Sequence, residues 1–170
     1  MAVITQLTKS AIDAKNRPDP LLDFKWYSAV IPLGLRSDYL ESVDIPFNNI
    51  GLGENVYGGG GFTAFPTSHT ISSFNATFYE DSLGTTLKWI LSWKALVKDF
   101  KTGFYGLPSV YKRNWAISIL NTMNEPVIDA VLKGCWPTST SNFALNYTSN
   151  GRLIVTQEFA IDDTDYNFYK

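Results

Sequence analysis

The sequence predicts a mainly β protein with one flanking α-helix, arranged as an antiparallel barrel or sandwich. Three observations lead there. Apolar and polar residues alternate over several short segments, most cleanly where Phe74, Ala76 and Phe78 interleave with Asn75 and Thr77. A long run of helical period covers residues 82–100. Asn150-Gly151 joins two alternating runs, and that dipeptide tolerates the positive φ of a tight hairpin turn.

Composition narrows the functional classes. The 170 residues fit one domain, 1–170, large enough for a sizeable core. Formal charge is -2, so the chain lacks the basic footprint of a direct nucleic-acid binder. Charged residues make up only 18%, against about 25% in an ordinary soluble chain. Aromatics reach 15%. A charge-poor, aromatic-rich chain fits a protein with permanent contacts, and equally an aromatic β core. The lone Cys135 excludes an intramolecular disulfide. No basic stretch followed by an apolar run opens the chain, and no uncharged apolar run reaches membrane-spanning length. The expected setting is therefore a cytoplasm, or an assembly built in one. Asn75-Ala-Thr and Asn146-Tyr-Thr are read as chance glycosylation matches.

The elements follow in order. Val3, Leu7, Ala11 and Ala14 recur at helical spacing, so residues 1–16 form an N-terminal arm with a short helix over 3–15, ended by the prolines at 18 and 20. Residues 22–31 read as a strand with Phe24, Trp26 and Ser28 on one face, and 37–45 as a second. Between Pro46 and Pro66 the chain becomes glycine-rich, with Gly58 to Gly61 consecutive. No GK[ST] and no strand–loop–helix context surrounds that run, which argues against a phosphate loop. A long protruding hairpin or loop that orders against a neighbour is the better reading.

Residues 69–79 form one strand. Asp81 or Ser82 then caps the helix, whose stripe of Leu83, Leu87, Ile90, Leu91 and Val97 is widened by Trp89, Trp93, Leu96 and Phe100. A stripe that wide contacts both its own sheet and something else. After a Gly/Pro loop come strands over 113–120 and 126–133, and residues 126–161 make the C-terminal strands and hairpin. Gly134, Trp136 and Pro137 form a structural corner at which pairing stops, because proline has no N–H to donate. Asp162, Asp163 and Asp165 read as a solvated tail.

No catalytic residues, metal site or cofactor emerge. His69 is the only histidine and has no sequence-local acid or nucleophile partner, and Cys135 reads as a small buried hydrophobe. One His and one Cys cannot make a structural zinc site. The chain is expected not to be an enzyme.

The order of these elements resembles the tail tube proteins of contractile-tailed (myovirus) bacteriophages. The resemblance covers nearly the whole chain. It is most specific at Leu132-Lys-Gly-Cys-Trp-Pro-Thr138, followed by Phe143–Tyr147 and Leu153–Ile161; Phe74–Ala95 is similar to that family's central strand and helix. The stretch Phe47–Phe65 takes the place of its long loop but is richer in glycine, and Asp163–Lys170 runs past its usual ending.

The resemblance implies a virion structural protein of the phage tail, assembled in the host cytoplasm. It would form hexameric rings that self-assemble into a stacked hollow conduit for genome ejection. Its partners would be itself, tail sheath and baseplate proteins, and genomic DNA passing through the lumen without specific binding. Inter-ring contact then falls to Leu7, Ile50, Tyr57, Gly58, Gly59, Gly60, Gly61 and Phe62. A mildly acidic, small-polar face lets DNA slide, which makes Ser73, Asn75, Thr77 and Asp129 the lumen candidates. Two alternatives stand beside it. One is a ring-forming paralogue at the tail terminus or baseplate, or the tube of a related contractile injection system. The other is a monomeric all-β carbohydrate-binding module stacking sugars on Trp26, Tyr111 and Trp115.

Overall fold

The computed structural model describes residues 21–56, 62–71, 73–142, 145 and 151–169. Its strands are β1 (Trp26–Val30), β2 (Leu40–Val43), β3 (Asn48–Val56), β4 (Phe62–Ile71), β5 (Phe74–Tyr79), β6 (Arg113–Leu120), β7 (Pro126–Thr140), β8 (Ile154–Ala160) and β9 (Asp163–Phe168). Helix α1 spans Thr85–Val97, and the single turn α2 spans Pro108–Tyr111. Two 3-10 turns, Pro32–Gly34 and Ser37–Tyr39, link β1 to β2. All strand pairs are antiparallel, giving a mainly β fold flanked by one substantial helix.

Strand β7 joins two layers. Its first half pairs with β6 on one edge, Leu132 opposite Trp115, and with β9 on the other, Leu132 opposite Thr164. Its second half pairs with β8, Trp136 opposite Ala160. One layer is therefore β1-β6-β7-β9 and the other β7-β8-β5-β2. The change of partners falls at Gly134, whose φ of 65° is a left-handed value that favours glycine.

Between the layers lies an aromatic core. Phe74, Phe78 and Phe159 of the second layer meet Trp115 of the first and Trp89 and Trp93 of α1. The Phe159 ring centroid lies 5.2 to 6.3 Å from those of Phe74, Trp89, Trp93 and Trp115. Each such pair contributes about 0.5–1.5 kcal/mol beyond burial. The three indole N–H groups donate to partners inside the protein: Trp89 to the Pro32 carbonyl at 2.9 Å, Trp93 to that of Tyr111 at 2.7 Å, and Trp115 to Ser28 Oγ at 2.8 Å. A tryptophan can be buried without penalty only if that donor is satisfied.

Several expectations are corrected. Pairing does not stop at Pro137: β7 continues to Thr140, with Pro137 buried opposite Phe159. A register irregularity between Pro137 and Thr140 marks the kind of strand position that tolerates a missing donor. The corner is Gly134 alone. Residues 69–79 are not one strand; β4 ends at Ile71 and β5 begins at Phe74. The helix is shorter than 82–100, and residues 37–39 form a 3-10 turn before β2. Asp163 to Asp165 do not form a solvated tail. They open β9, which pairs with β7 in regular register and buries Thr164.

The helical arm 1–16, the glycine run and most of the expected strand and turn over 142–150 lie outside the described residues.

Candidate assembly interface

Three surfaces bear on function, beginning with the β3–β4 hairpin. It forms a two-stranded sheet of its own from the Pro46–Pro66 stretch and the residues after it. Its root is tied to β9: Thr164 Oγ1 donates to Asn48 Oδ1 at 2.8 Å, Tyr166 Oη donates to the Pro46 carbonyl, and the Phe47 and Tyr166 rings stack 5.3 Å apart. Along β3 the sequence reads Ile50-Gly-Leu-Gly-Glu54, so apolar residues alternate with glycine. A Cβ on Gly51 would lie 2.4 Å from Ser68 Oγ, and one on Gly53 would lie 2.5 Å from Thr67 Cγ2 and 2.7 Å from the Phe65 ring. The glycines thus let the β4 side chains lie across β3. Ile50 and Leu52 project outward, 68% and 76% exposed. Large apolar side chains held that open are informative where they cluster.

The second surface is α1. Asp81 and Glu80 seat its N-terminus. Asp81 Oδ1 accepts N–H from Leu83 and Thr85, and the Glu80 carboxylate accepts N–H from Asp81, Thr86 and Leu87, filling the donors a helix start leaves open. The cap position itself is Gly84, with φ 71°. Thr86, Trp89, Ile90 and Trp93 face the core, while Leu83, Leu91 and Leu96 stay exposed. The apolar stripe is therefore centred on the tryptophans, and the leucines form a second face.

Beside that face runs an open groove of about 550 Å³, lined by Leu87, Ile90 and Leu91 of α1 and by Thr140, Ser141 and Asn142 at the end of β7. Lys94 Nζ donates to Thr140 Oγ1, which donates to Oε1 of the buried Gln157 at 2.6 Å. Lys94 forms no ion pair among the described residues. Burial holds its pKa below the ordinary lysine value. Further exposed apolar side chains follow in Phe100, Phe104, Tyr105 and Leu107.

Third is the outward face of β5 and β8. Ser73, Asn75 and Thr77 lie on it together: Ser73 Oγ donates to Glu158 Oε1 at 2.6 Å, and the hydroxyls of Thr77 and Thr156 are 3.2 Å apart. Hydrogen bonds from Ser139 first, and then from Ser73, hold the Glu158 carboxyl below its ordinary pKa. Asp129 is not part of this face. It belongs to the other layer, between Ser118 and Asn167 in register, where Tyr169 Oη donates to its Oδ2 at 2.5 Å.

Of the residues expected at inter-ring contacts, Ile50 is exposed on the hairpin and Phe62 begins β4, while Leu7 and Tyr57 to Gly61 lie outside the described residues. At the corner, Trp136 stands edge-on to Tyr111, centroids 5.9 Å apart. The sugar-stacking alternative loses most of its platform: Trp115 is fully buried and Trp26 packs against the core, while Tyr111 is half-buried. His69 lies in β4 opposite Ile50. Cys135 is buried, and that burial pushes its thiol pKa up to about 12, so it is a poor nucleophile.

Two features escaped the sequence reading. Nothing local marks Lys94 as a lysine that folds back onto β7. Strand β9 did have a signal, because Thr164, Tyr166 and Phe168 alternate with Asp163, Asp165 and Asn167.

Neither a family model nor a curated protein matches the sequence. Solved structures do match the fold. A chain from the anti-feeding prophage cap, the AFP tube terminating cap, is similar at TM-score 0.68 and 14% identity, covering 90% of this chain and 94% of that one. A chain from the PVC sheath/tube terminator in the extended state matches at TM-score 0.68 and 17% identity, covering 88% and 98%. One from the PVC sheath-tube complex, also extended, matches at TM-score 0.68 and 17% identity, covering 94% and 97%. This protein has the fold found in components of contractile injection systems. At these identities the likeness is one of fold.

Proposed function

We propose that this protein is the tube subunit of a contractile tail or tail-like injection particle, a structural and non-enzymatic role. It would close into hexameric rings that stack into a hollow conduit, serving genome ejection in a phage tail. Sheath and baseplate proteins are its expected partners, and the particle is its expected location. The carrying observation is that the described residues display two separate exposed apolar surfaces, the Ile50–Leu52 face of the hairpin and the outer face of α1. A self-propagating stack needs two different complementary patches, a heterologous contact repeated from copy to copy. The fold likeness to the PVC sheath-tube complex supports this reading.

In such a tube the small-polar face of Ser73, Asn75, Thr77 and Glu158 is the best candidate to line the lumen. It offers hydroxyls, an amide and a negative charge, with no aromatic platform on which DNA bases could stack. Asp129, on the other layer, is a weaker candidate than its sequence position implied.

A second reading is a ring that terminates the tube, favoured by the likeness to the AFP cap and the PVC terminator. Negative-stain electron microscopy of the purified protein over a concentration series separates the two. Hollow tubes of uniform width are the expected result. Rings that never stack would transfer the assignment to the terminator, and monomers at every concentration would overturn both.

A further inference from the structure

Between α1 and α2 the chain makes a short hairpin that stands off the body of the protein. At its base the Gly106 N–H donates to the Val97 carbonyl and the Asp99 N–H to that of Phe104, both at 2.9 Å, and Lys98 pairs with Tyr105 as an antiparallel bridge. Gly103, at φ 78°, closes the tip by donating its N–H to the Asp99 carbonyl at 2.7 Å. Asp99 locks the turn: Oδ1 accepts the Lys101 N–H at 2.8 Å and Oδ2 the Thr102 hydroxyl at 2.7 Å. Those bonds, the Thr102 hydroxyl first, hold its carboxyl below the ordinary aspartate pKa. The one acid of the hairpin is thus engaged with its own backbone and neighbour.

What the hairpin displays is aromatic and cationic. Every residue from Asp99 to Tyr105 is exposed. Phe100 and Phe104, 73% and 78% exposed, flank the tip, with Tyr105 and Leu107 open behind them. Lys101 lies between the two phenylalanines in sequence and joins no ion pair among the described residues, while Lys98 Nζ sits 4.9 Å from the Tyr105 ring centroid. From Lys98 to Arg113 the sequence carries four cations (Lys98, Lys101, Lys112 and Arg113) against the single Asp99, in a chain whose net charge is -2. Only Lys112 of the four is neutralised, by Asp162. This is a basic, aromatic pole on an acidic protein.

A protruding tip of this kind has no cleft for a small ligand. In a protein pocket Lys101 would be drawn out of water together with the phenylalanines, and an unpaired buried charge is costly. At a bilayer surface the same residues separate by depth. Aromatic rings settle at the boundary of headgroups and acyl chains, lysine stems reach back to the phosphates, and anionic lipids attract the ammonium groups.

We propose that the 98–107 hairpin is a membrane-contact site, which seats Phe100 and Phe104 in the interface of a bilayer bearing anionic headgroups, with Lys98 and Lys101 at the phosphate level. The contact is peripheral, since no helix among the described residues is long and apolar enough to cross a membrane. It goes beyond the tube reading and does not depend on it.

Vesicle flotation of the full chain tests this, because only lipid-bound protein rises and assemblies that sediment unaided do not interfere. Phosphatidylcholine vesicles are compared with vesicles of phosphatidylcholine mixed with phosphatidylglycerol, at a protein concentration below that of any visible assembly. The expected result is a floated fraction at least about fivefold larger on the anionic vesicles. Phe100→Ser with Phe104→Ser should abolish flotation, and Lys101→Glu should remove the preference for anionic lipid. Both changes fall on exposed positions, so the thermal midpoint should not move and a folding defect is separable. No flotation on either vesicle would overturn the proposal. So would flotation that survives the double serine variant, which would mean adsorption by charge alone. A double serine variant that loses self-association, in a chain that never floats, would reassign the hairpin to a contact between copies.

Discussion

Gly134 lies directly beneath the Asp162 carboxylate: a Cβ at Gly134 would come within 2.3 Å of Asp162 Oδ2 and 2.7 Å of its Cγ. The carboxylate is held there by Lys112 Nζ, 2.6 and 2.7 Å from its two oxygens. Glycine is therefore required twice at the point where β7 changes layers, by its φ of 65° and by the space it leaves.

Gly134→Ala should cost about 1–3 kcal/mol, the range for a side chain forced into a sparsely populated backbone region. Adding Asp162→Ala relieves the collision but not the φ, so the double variant should regain only part of the loss. Denaturant melts of the three variants measure this. Full recovery in the double variant would show that the backbone conformation carries no strain.

Trp93 is fully buried and ties α1 to α2 through the Tyr111 carbonyl. Trp93→Ala should destabilise by about 3–5 kcal/mol through the cavity it leaves. Trp115→Phe should cost less, since a ring remains while the Ser28 hydroxyl loses its donor, an effect of about 1 kcal/mol or somewhat more. Comparable losses at the two sites would argue against the core as described.

Asp81 links acid stability to the helix start. The N–H of Thr85 first, and then its hydroxyl, hold the Asp81 carboxyl far below its ordinary 3.8. A depressed folded-state pKa means that the stabilisation is complete above the unfolded value and is lost as pH falls below it. The thermal midpoint of Asp81→Ala should therefore lie below wild type at neutral pH, with the gap narrowing between about pH 5 and pH 2. A gap that stays constant over that range would remove Asp81 from the acid response.

Cys135 should resist alkylation in the native protein and react on unfolding, because burial both excludes reagent and disfavours the thiolate. Thiol titration in buffer and in denaturant gives the two numbers directly. Rapid native labelling would mean that β7 opens locally near Gly134.

Gly53→Val tests whether the seat that Gly53 leaves for the β4 side chains matters for assembly. The added side chain must push Phe65 and Thr67 off β3. Assembly should weaken several-fold while the thermal midpoint, set by a core to which no described hairpin residue belongs, changes little. Equal loss of both would assign the glycines to folding.

Some of this was legible from the residues alone. Two-residue alternation fixes which strand face is apolar irrespective of partner, so Phe74, Ala76 and Phe78 went to the core and Asn75 and Thr77 outward as expected. The 3.6-residue period placed α1 but not its buried face: apolar residues cover too much of its circumference, and packing against Phe78 and Phe159 selected Trp89 and Trp93 over Leu83 and Leu91. Proline at 137 was read as a stop because its missing donor is a local property; whether a ladder needs that donor depends on the partner strand. The same limit hid β9, whose pairing depends on a β7 edge some thirty residues away in sequence. Hydrophobic pattern is written residue by residue and survives without the fold. Strand partners, the bend at Gly134, the seat of Lys94 and the groove on α1 arise only when distant segments meet, because their energies belong to pairs rather than to residues.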